Sequence, residues 1–226
     1  MLVMITGTAG GIGRATAEYF LARGHEVHGV DIRPLSGVPD TLSGAGYVHH
    51  IADITDEEQL RSALGQDFVP EILINCAGVQ GGRDIDVNLK GVINVTEMFA
   101  VPNDRIRSVV NIGSASGHTG SEFPEYAASK GGVLAYTKNV ALRIAPRATC
   151  NSIDPGGVTT ELNRCVMDDP VLWDRIMELT PLKRWASPEE IAEWVYFVAV
   201  NNRFMTGQNL LIDGGEAGRA EFVWPE

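Results

Sequence analysis

Residues 2–31, LVMITGTAGGIGRATAEYFLARGHEVHGVD, decide how this chain is read. The apolar run Leu2 to Thr6 predicts a strand, and Ile12 to Arg23 carries apolar residues at helical spacing. Between them stands Thr6-Gly7-Thr8-Ala9-Gly10-Gly11-Ile12-Gly13. Glycines remove side chains where a backbone must approach a pyrophosphate. The start of the helix then supplies free N–H groups and a positive dipole end. Glu26 to Asp31 predicts a second strand, ending on a carboxylate eighteen residues past Gly13. A carboxylate there accepts from both ribose hydroxyls of adenosine and repels a 2′-phosphate. The expected cofactor is therefore NAD rather than NADP, held by Gly7, Thr8, Gly11, Ile12, Gly13, Asp31 and the adjoining Ile32. Arg33 is the counter-argument, since a guanidinium suits a 2′-phosphate.

The same alternation continues. Strands are predicted over Tyr47 to Ile51, Ile72 to Asn75, Arg107 to Ile112, Ala148 to Ile153 and Asn209 to Ile212. Helices are predicted over Asp56 to Leu64, Asp86 to Ala100, Pro124 to Ile144 and Pro188 to Val200. Ser187 is an N-cap for the last of these, with Glu190 three residues on. Such a pattern predicts an α/β Rossmann fold, a doubly wound parallel sheet of about seven strands with helices on both faces. Residues 1–226 read as one domain with no linker, and Arg33 to Gly46 as a surface loop.

Composition narrows the function classes. At 226 residues and 44% hydrophobic content the chain can bury a sizeable core. A net charge of −11 disfavours nucleic-acid and anionic-membrane partners, which need basic patches. Apolar runs are too short for a membrane span. Met1 leads straight into the first strand, which does not read as a signal peptide. Cys76, Cys150 and Cys165 are widely spaced and odd in number, so neither a disulfide framework nor a zinc site is suggested. His49 and His50 face opposite sides of a strand and make a poor metal pair. No metal is expected, and a cytoplasmic location is.

Tyr126 and Lys130, four residues apart in EYAASK, share one face of the long predicted helix. An ammonium about 4 Å from a phenol, at an effective dielectric of about 20, favours the phenolate by roughly 4 kcal/mol. The pair is a candidate acid/base. Ser114, twelve residues before Tyr126, can complete it, with Ser116 as a rival.

In order and spacing these blocks resemble the short-chain dehydrogenase/reductase family, from Met1 to about Gly215. The cofactor loop, Asn111-Ile112-Gly113-Ser114 and Tyr126-x-x-x-Lys130 carry the likeness. The resemblance implies that Ser114, Tyr126, Lys130 and Asn88 form a catalytic tetrad. Asn88 would orient a water that links Lys130 to solvent. It also implies adenine contacts at Asp53 and Ile54, and cofactor contacts at Asn75, Ala77 and Gly78. Pro155, Gly156, Val158 and Thr160 would meet the nicotinamide end, beside Tyr126 and Lys130. Weaker likenesses, Gly29 to Arg33 and Asp169-Pro170, are to bacterial 3α-hydroxysteroid dehydrogenase/carbonyl reductase proteins.

The implied reaction is reversible hydride transfer between NAD(H) and a secondary alcohol or ketone. Residues 159–181 would form a lid. Its apolar residues (Leu162, Val166, Met167, Leu172, Trp173, Ile176, Met177) suit a hydrophobic, steroid-like or acyl ketone. A 3-oxoacyl or polyol/sugar oxidoreductase is an alternative on the same fold. A dinucleotide sensor without catalysis is an alternative of another class. His118 is open to two readings, cleft-lining or solvent-facing. Departures from the family pattern are a short stretch from Gly78 to Asn88 and a short turn between Met98 and Ile106. A homodimer or homotetramer is expected, through the helices near 87–100 and 124–144, where Val133, Leu134, Val140 and Leu142 add apolar surface.

Overall fold

In the inner strands residues alternate in direction, and both sets are buried. Val3, Ile5, Ile72 and Ile74 pack on one face of the sheet with Phe20, Ile191 and Val195. Met4, Leu73 and Val109 pack on the other with Leu60, Phe99 and Val140. Such two-sided burial requires a parallel sheet with helices over each face. The computed structural model describes residues 1–35, 42, 46–121 and 123–218. The loop expected over 33–46 falls largely outside the described residues.

The strands are β1 (Leu2–Thr6), β2 (Glu26–Asp31), β3 (Tyr47–Ile51), β4 (Ile72–Asn75), β5 (Ser108–Ile112), β6 (Thr149–Pro155) and β7 (Asn209–Ile212). They form one seven-stranded sheet in the order β3-β2-β1-β4-β5-β6-β7, parallel throughout. The order reverses between β1 and β4, which opens a crevice beyond their carboxyl ends. The helices are α1 (Gly11–Leu21), α2 (Glu57–Leu64), α3 (Val92–Phe99), α4 (Ala115–Thr119), α5 (Pro124–Ile144), α6 (Arg164–Met167), α7 (Pro170–Leu179) and α8 (Pro188–Tyr196). The Ser187–Glu190 capping box opens α8 as expected.

Some boundaries differ from the sequence reading. The helix expected over 86–100 begins as a π-helical turn, Ile85–Gly91, before α3. Gly91 lies where Ile54 presses in, and a Cβ there would fall 2.6 Å from Ile54 Cδ1. The helix expected to reach Val200 likewise passes into a π turn, Phe197–Asn201. The short stretch after Gly78 is a tight return: Gly81 and Gly82 have φ of 96° and 98°, and Gly81 N–H donates to the buried Asp84 carboxylate. Asn103 staples the short turn before β5, donating to Pro70 O at 2.7 Å and Phe99 O at 3.0 Å. Val133, Leu134 and Val140, expected to add outward surface, are instead buried within the chain; of that set only Leu142 is exposed, at 84%. Heptad-scale apolar spacing on α5 serves the sheet below it.

Asn111 ties four elements together in the core. Its Oδ1 accepts from Asn75 Nδ2 at 2.8 Å, and its Nδ2 donates to Thr137 Oγ1 at 2.9 Å. Asn75 Nδ2 also donates to Thr96 Oγ1. Removing one member leaves buried polar atoms unpaired, which costs about 1–3 kcal/mol. Asn111→Ala is therefore expected to lower the urea midpoint by that amount of stability, with an unchanged denaturant slope.

Candidate active site

The loop from Thr6 to Gly13 is shaped by backbone contact. Gly7 has φ of 78°, and a Cβ there would lie 2.8 Å from the Ala77 backbone. A Cβ at Gly13 would fall 2.2 Å from Gly7 O, so only glycine lets α1 pack this close. Gly10 precedes α1 with no side-chain cap, and the first turn carries no acidic residue. Its leading N–H groups thus face the crevice without a competing anion, the donor set a diphosphate requires. Thr160 lies over this loop, with Cγ2 3.4 Å from where a Gly11 Cβ would be.

Asp31 ends β2 beside the loop and is only 7% exposed. Its Oδ2 accepts from Ala9 N–H at 2.9 Å, and its Oδ1 from Arg33 N–H at 2.9 Å. The Arg33 guanidinium reaches back to Asp31 Oδ1 at 3.4 Å and flanks Gly10. Ile32 is exposed beside it. Asp53 accepts from the Thr55 N–H and hydroxyl, with Arg83 Nη1 at 3.4 Å. Against partial burial, which would raise it, these donors hold its carboxyl below the ordinary range.

Several expected contact residues turn inward instead. Thr8 is fully buried, and its Oγ1 takes the Tyr47 hydroxyl at 2.9 Å. Ile54 packs against the π turn, Asn75 faces the core, and Val158 is buried where it bridges to Ala186. Only the backbone of such residues can meet a ligand. Tyr47 and His49, 3.1 Å apart, were not singled out from sequence as parts of this site. Gly29 was the available signal: a Cβ there would fall 2.2 Å from the Tyr47 hydroxyl.

The candidate acid/base cluster stands on the other side of Gly7 and Ala77. Ser114 is buried and N-caps α4, its Oγ accepting from Ser116 N–H at 3.2 Å. The rival Ser116 thus serves as the donor in that cap. Lys130 is buried at 5% exposure, and its Nζ donates to Ile112 O at 2.9 Å. Nζ lies 5.7 Å from the Tyr126 ring centre, on the same face of α5. The Tyr126 hydroxyl has no hydrogen bond among the described residues and remains open to a ligand. A Cβ on Gly78 would lie 3.2 Å from Asn88 Oδ1 and 3.7 Å from Lys130 Nζ, so the three residues converge.

The Asn88 side chain is fully engaged within the chain. Its Oδ1 accepts from Val79 N–H at 2.8 Å, and its Nδ2 donates to Val79 O and Ser129 Oγ. The side chain clamps the tight return after Gly78 to α5, leaving the main chain of the π turn to face any water. Pro155 is buried, and Gly156 packs against Asp213. Gly157 lies beneath the Trp185 indole, which meets Trp173 of α7 edge-on at 4.9 Å. Val166, Met167, Trp173, Ile176 and Met177 are half-buried, while Leu162 and Leu172 are exposed. His118 bonds the buried Asp154. Among the described residues no group of three His, Cys, Asp or Glu is arranged to hold a metal, and no helix is long and apolar enough to cross a membrane.

The family described as Enoyl-(Acyl carrier protein) reductase matches residues 7–216. The chain is 31% identical to the 3-oxoacyl-[acyl-carrier-protein] reductase of Thermotoga maritima, covering 94% of this chain and 96% of that one. Among solved structures, the ligand-free aldohexose dehydrogenase of Thermoplasma acidophilum is 32% identical with a TM-score of 0.84, over 100% and 97% of the two chains. A 4-hydroxyisoleucine dehydrogenase complexed with NADH is 28% identical with a TM-score of 0.88, over 97% and 99%. A dehydrogenase from Agrobacterium tumefaciens with bound NADP is 28% identical with a TM-score of 0.87, over 96% of each chain.

The 2.2 Å approach at Gly13 makes the loop testable. Gly13→Ala must displace the loop or α1, so the rise in Tm expected of the parent with its nicotinamide dinucleotide is expected to vanish in a calorimetric scan.

Proposed function

Because this chain belongs to the short-chain dehydrogenase/reductase family, we propose that it is an NAD(H)-dependent oxidoreductase interconverting a secondary alcohol and a ketone. The observation that carries the reading is that Lys130, on the helix that also bears Tyr126, is anchored to Ile112 O two residues before Ser114 and lies beside Gly78, next to the Ala77 backbone that packs on Gly7 of the glycine loop. When bound, the dinucleotide supplies or accepts the hydride. Every other step falls to the chain itself.

Tyr126, with its hydroxyl unpaired, gives a proton to the carbonyl oxygen in reduction and takes it back in oxidation. Ser114 holds that oxygen by a hydrogen bond as charge develops. Lys130, anchored on Ile112 O, turns its remaining N–H groups toward the ribose. Asn88 keeps the return after Gly78 in place, and the main chain beside it holds the water that leads to solvent. Asp31 accepts from the adenosine ribose, with Ile32, Asp53 and the backbone of Ile54 along the adenine. Backbone groups of Gly7 to Gly13, Ala77, Gly78 and Pro155 to Val158, with the Thr160 hydroxyl, hold the diphosphate and carboxamide.

Residues 159–181 are read as a lid whose half-buried apolar side favours a substrate with a hydrophobic body. A second reading, a 3-oxoacyl or polyol/sugar substrate, is supported by the names of the Thermotoga and Thermoplasma relatives. NAD is preferred to NADP because Asp31 places a negative charge where a 2′-phosphate would lie. Homo-oligomerisation and a cytoplasmic location belong to the same proposal.

Tyr126→Phe is expected to lower kcat by about 10²–10⁴-fold while leaving NAD binding intact, the scale of losing a positioned proton donor. Absorbance at 340 nm across steroids, acyl ketones and polyols reads it, and substantial turnover in the variant would remove Tyr126 from its assigned step. Run in parallel with NAD and NADP, the same panel is expected to favour NAD, and Asp31→Ala to narrow that preference. A parent enzyme that prefers NADP overturns the assignment of Asp31 in favour of Arg33.

A further inference from the structure

Asp154 is fully buried near the end of β6, directly before Pro155. Its Oδ2 accepts from His118 Nε2 at 2.7 Å. Its Oδ1 is buried without a hydrogen-bond partner, against Gly113, where a Cβ would fall 2.0 Å away. Burial pushes this carboxyl up, offset in part by His118 and the nearby Ser152 hydroxyl and, at longer range, by Lys130. A buried carboxylate with one oxygen unpaired is costly to keep. Scaffolding alone would be served by a neutral residue at this place.

What the pair holds is α4. That helix spans five residues and buries none of them. A helix so short has no stability of its own, so its contacts decide where it sits. Ser114 caps its amino end, and Gly117 rests on the Lys130 backbone, where a Cβ would lie 2.9 Å from Lys130 C. His118, near its carboxyl end, is tied to β6 through Asp154. Ser114 and His118 are four residues apart and so share a side of the helix.

We propose that His118 and Asp154 are a positioning pair, which pins α4 to β6 and so holds Ser114 Oγ at a set distance from the Pro155–Val158 segment. The proposal rests on the reading of Ser114 as the group that holds the substrate oxygen. Misplacing such a group by about 1 Å costs about a hundredfold in rate. Neither residue touches substrate; both act through Ser114.

Hydrogen exchange at residues 115–119, kcat and the Kd for NAD test it together. His118→Phe and Asp154→Ala are each expected to speed exchange at those amides and lower kcat about tenfold to a hundredfold, with NAD affinity unchanged. The double variant should lose no more than the worse single one, since one tether is broken once. Asp154→Asn keeps an acceptor for His118 and should restore most of kcat. Where Asp154→Ala fails to fold, His118→Phe on the exposed side carries the test alone. Unchanged exchange in His118→Phe, faster exchange with full kcat, or NAD affinity falling in step with kcat each overturns the proposal. A parent protein that turns over nothing with either dinucleotide strikes the Ser114 reading instead, and exchange at 115–119 still reports on the tether.

Discussion

The backbone N–H groups of Cys76 and Ala77 both donate to Thr6 Oγ1, each at 3.0 Å. This junction closes the end of β1 onto the end of β4, where the strand order reverses. On one side of it the chain turns through Gly7 into the phosphate loop. On the other it runs through Gly78 to Asn88 and Lys130. The dinucleotide crevice and the candidate acid/base cluster are thus two sides of one contact. Its tolerance is small, because a side chain at position 7 would meet Ala77 at 2.8 Å. Any change that parts β1 from β4 moves both halves of the proposed site at once.

The inner strands β1, β4 and β5 were legible because their two-sided burial needs nearly continuous apolar runs, whereas β3 and β7 at the edges are only part-buried. Pro124 and Pro146 bracket α5, whose limits were read to the residue. β6 was read short at Ile153, since Asp154 and Pro155 do not look like strand residues; pairing with Leu211 and Ile212 carries the strand on. The π turns were not legible, because one extra residue in a turn leaves the apolar spacing nearly unchanged. Within the site, position was readable and direction was not. Thr8, Ile54 and Asn75 stand where the family pattern expects contacts, yet their side chains point into the protein. Which way a side chain turns depends on neighbours brought in from other strands, as Tyr47 is brought to Thr8 by the pairing of β3 with β2.

The stretch after Gly78 is closed by a turn with positive φ at Gly81 and Gly82, tied to Asp84. The Asn88 amide holds the entry to that turn through both backbone groups of Val79 and ties it to Ser129 of α5. With Val133, Leu134 and Val140 committed to the core, α5 offers less apolar surface than its composition suggests.

Lys130 is the residue whose placement most constrains the proposed chemistry. A buried ammonium has three N–H groups to satisfy, and Ile112 O takes one of them. Were Tyr126 to take a second, its hydroxyl oxygen would be partly occupied when it must face the substrate. Nζ stands 5.7 Å from the Tyr126 ring centre, and no hydrogen bond joins the two side chains among the described residues. With one donor fixed on Ile112 O and none on Tyr126, two donors of the ammonium remain for a ligand. The four-residue spacing seen in the sequence thus sets both side chains on one face of α5 while the end of β5 decides where the ammonium is anchored.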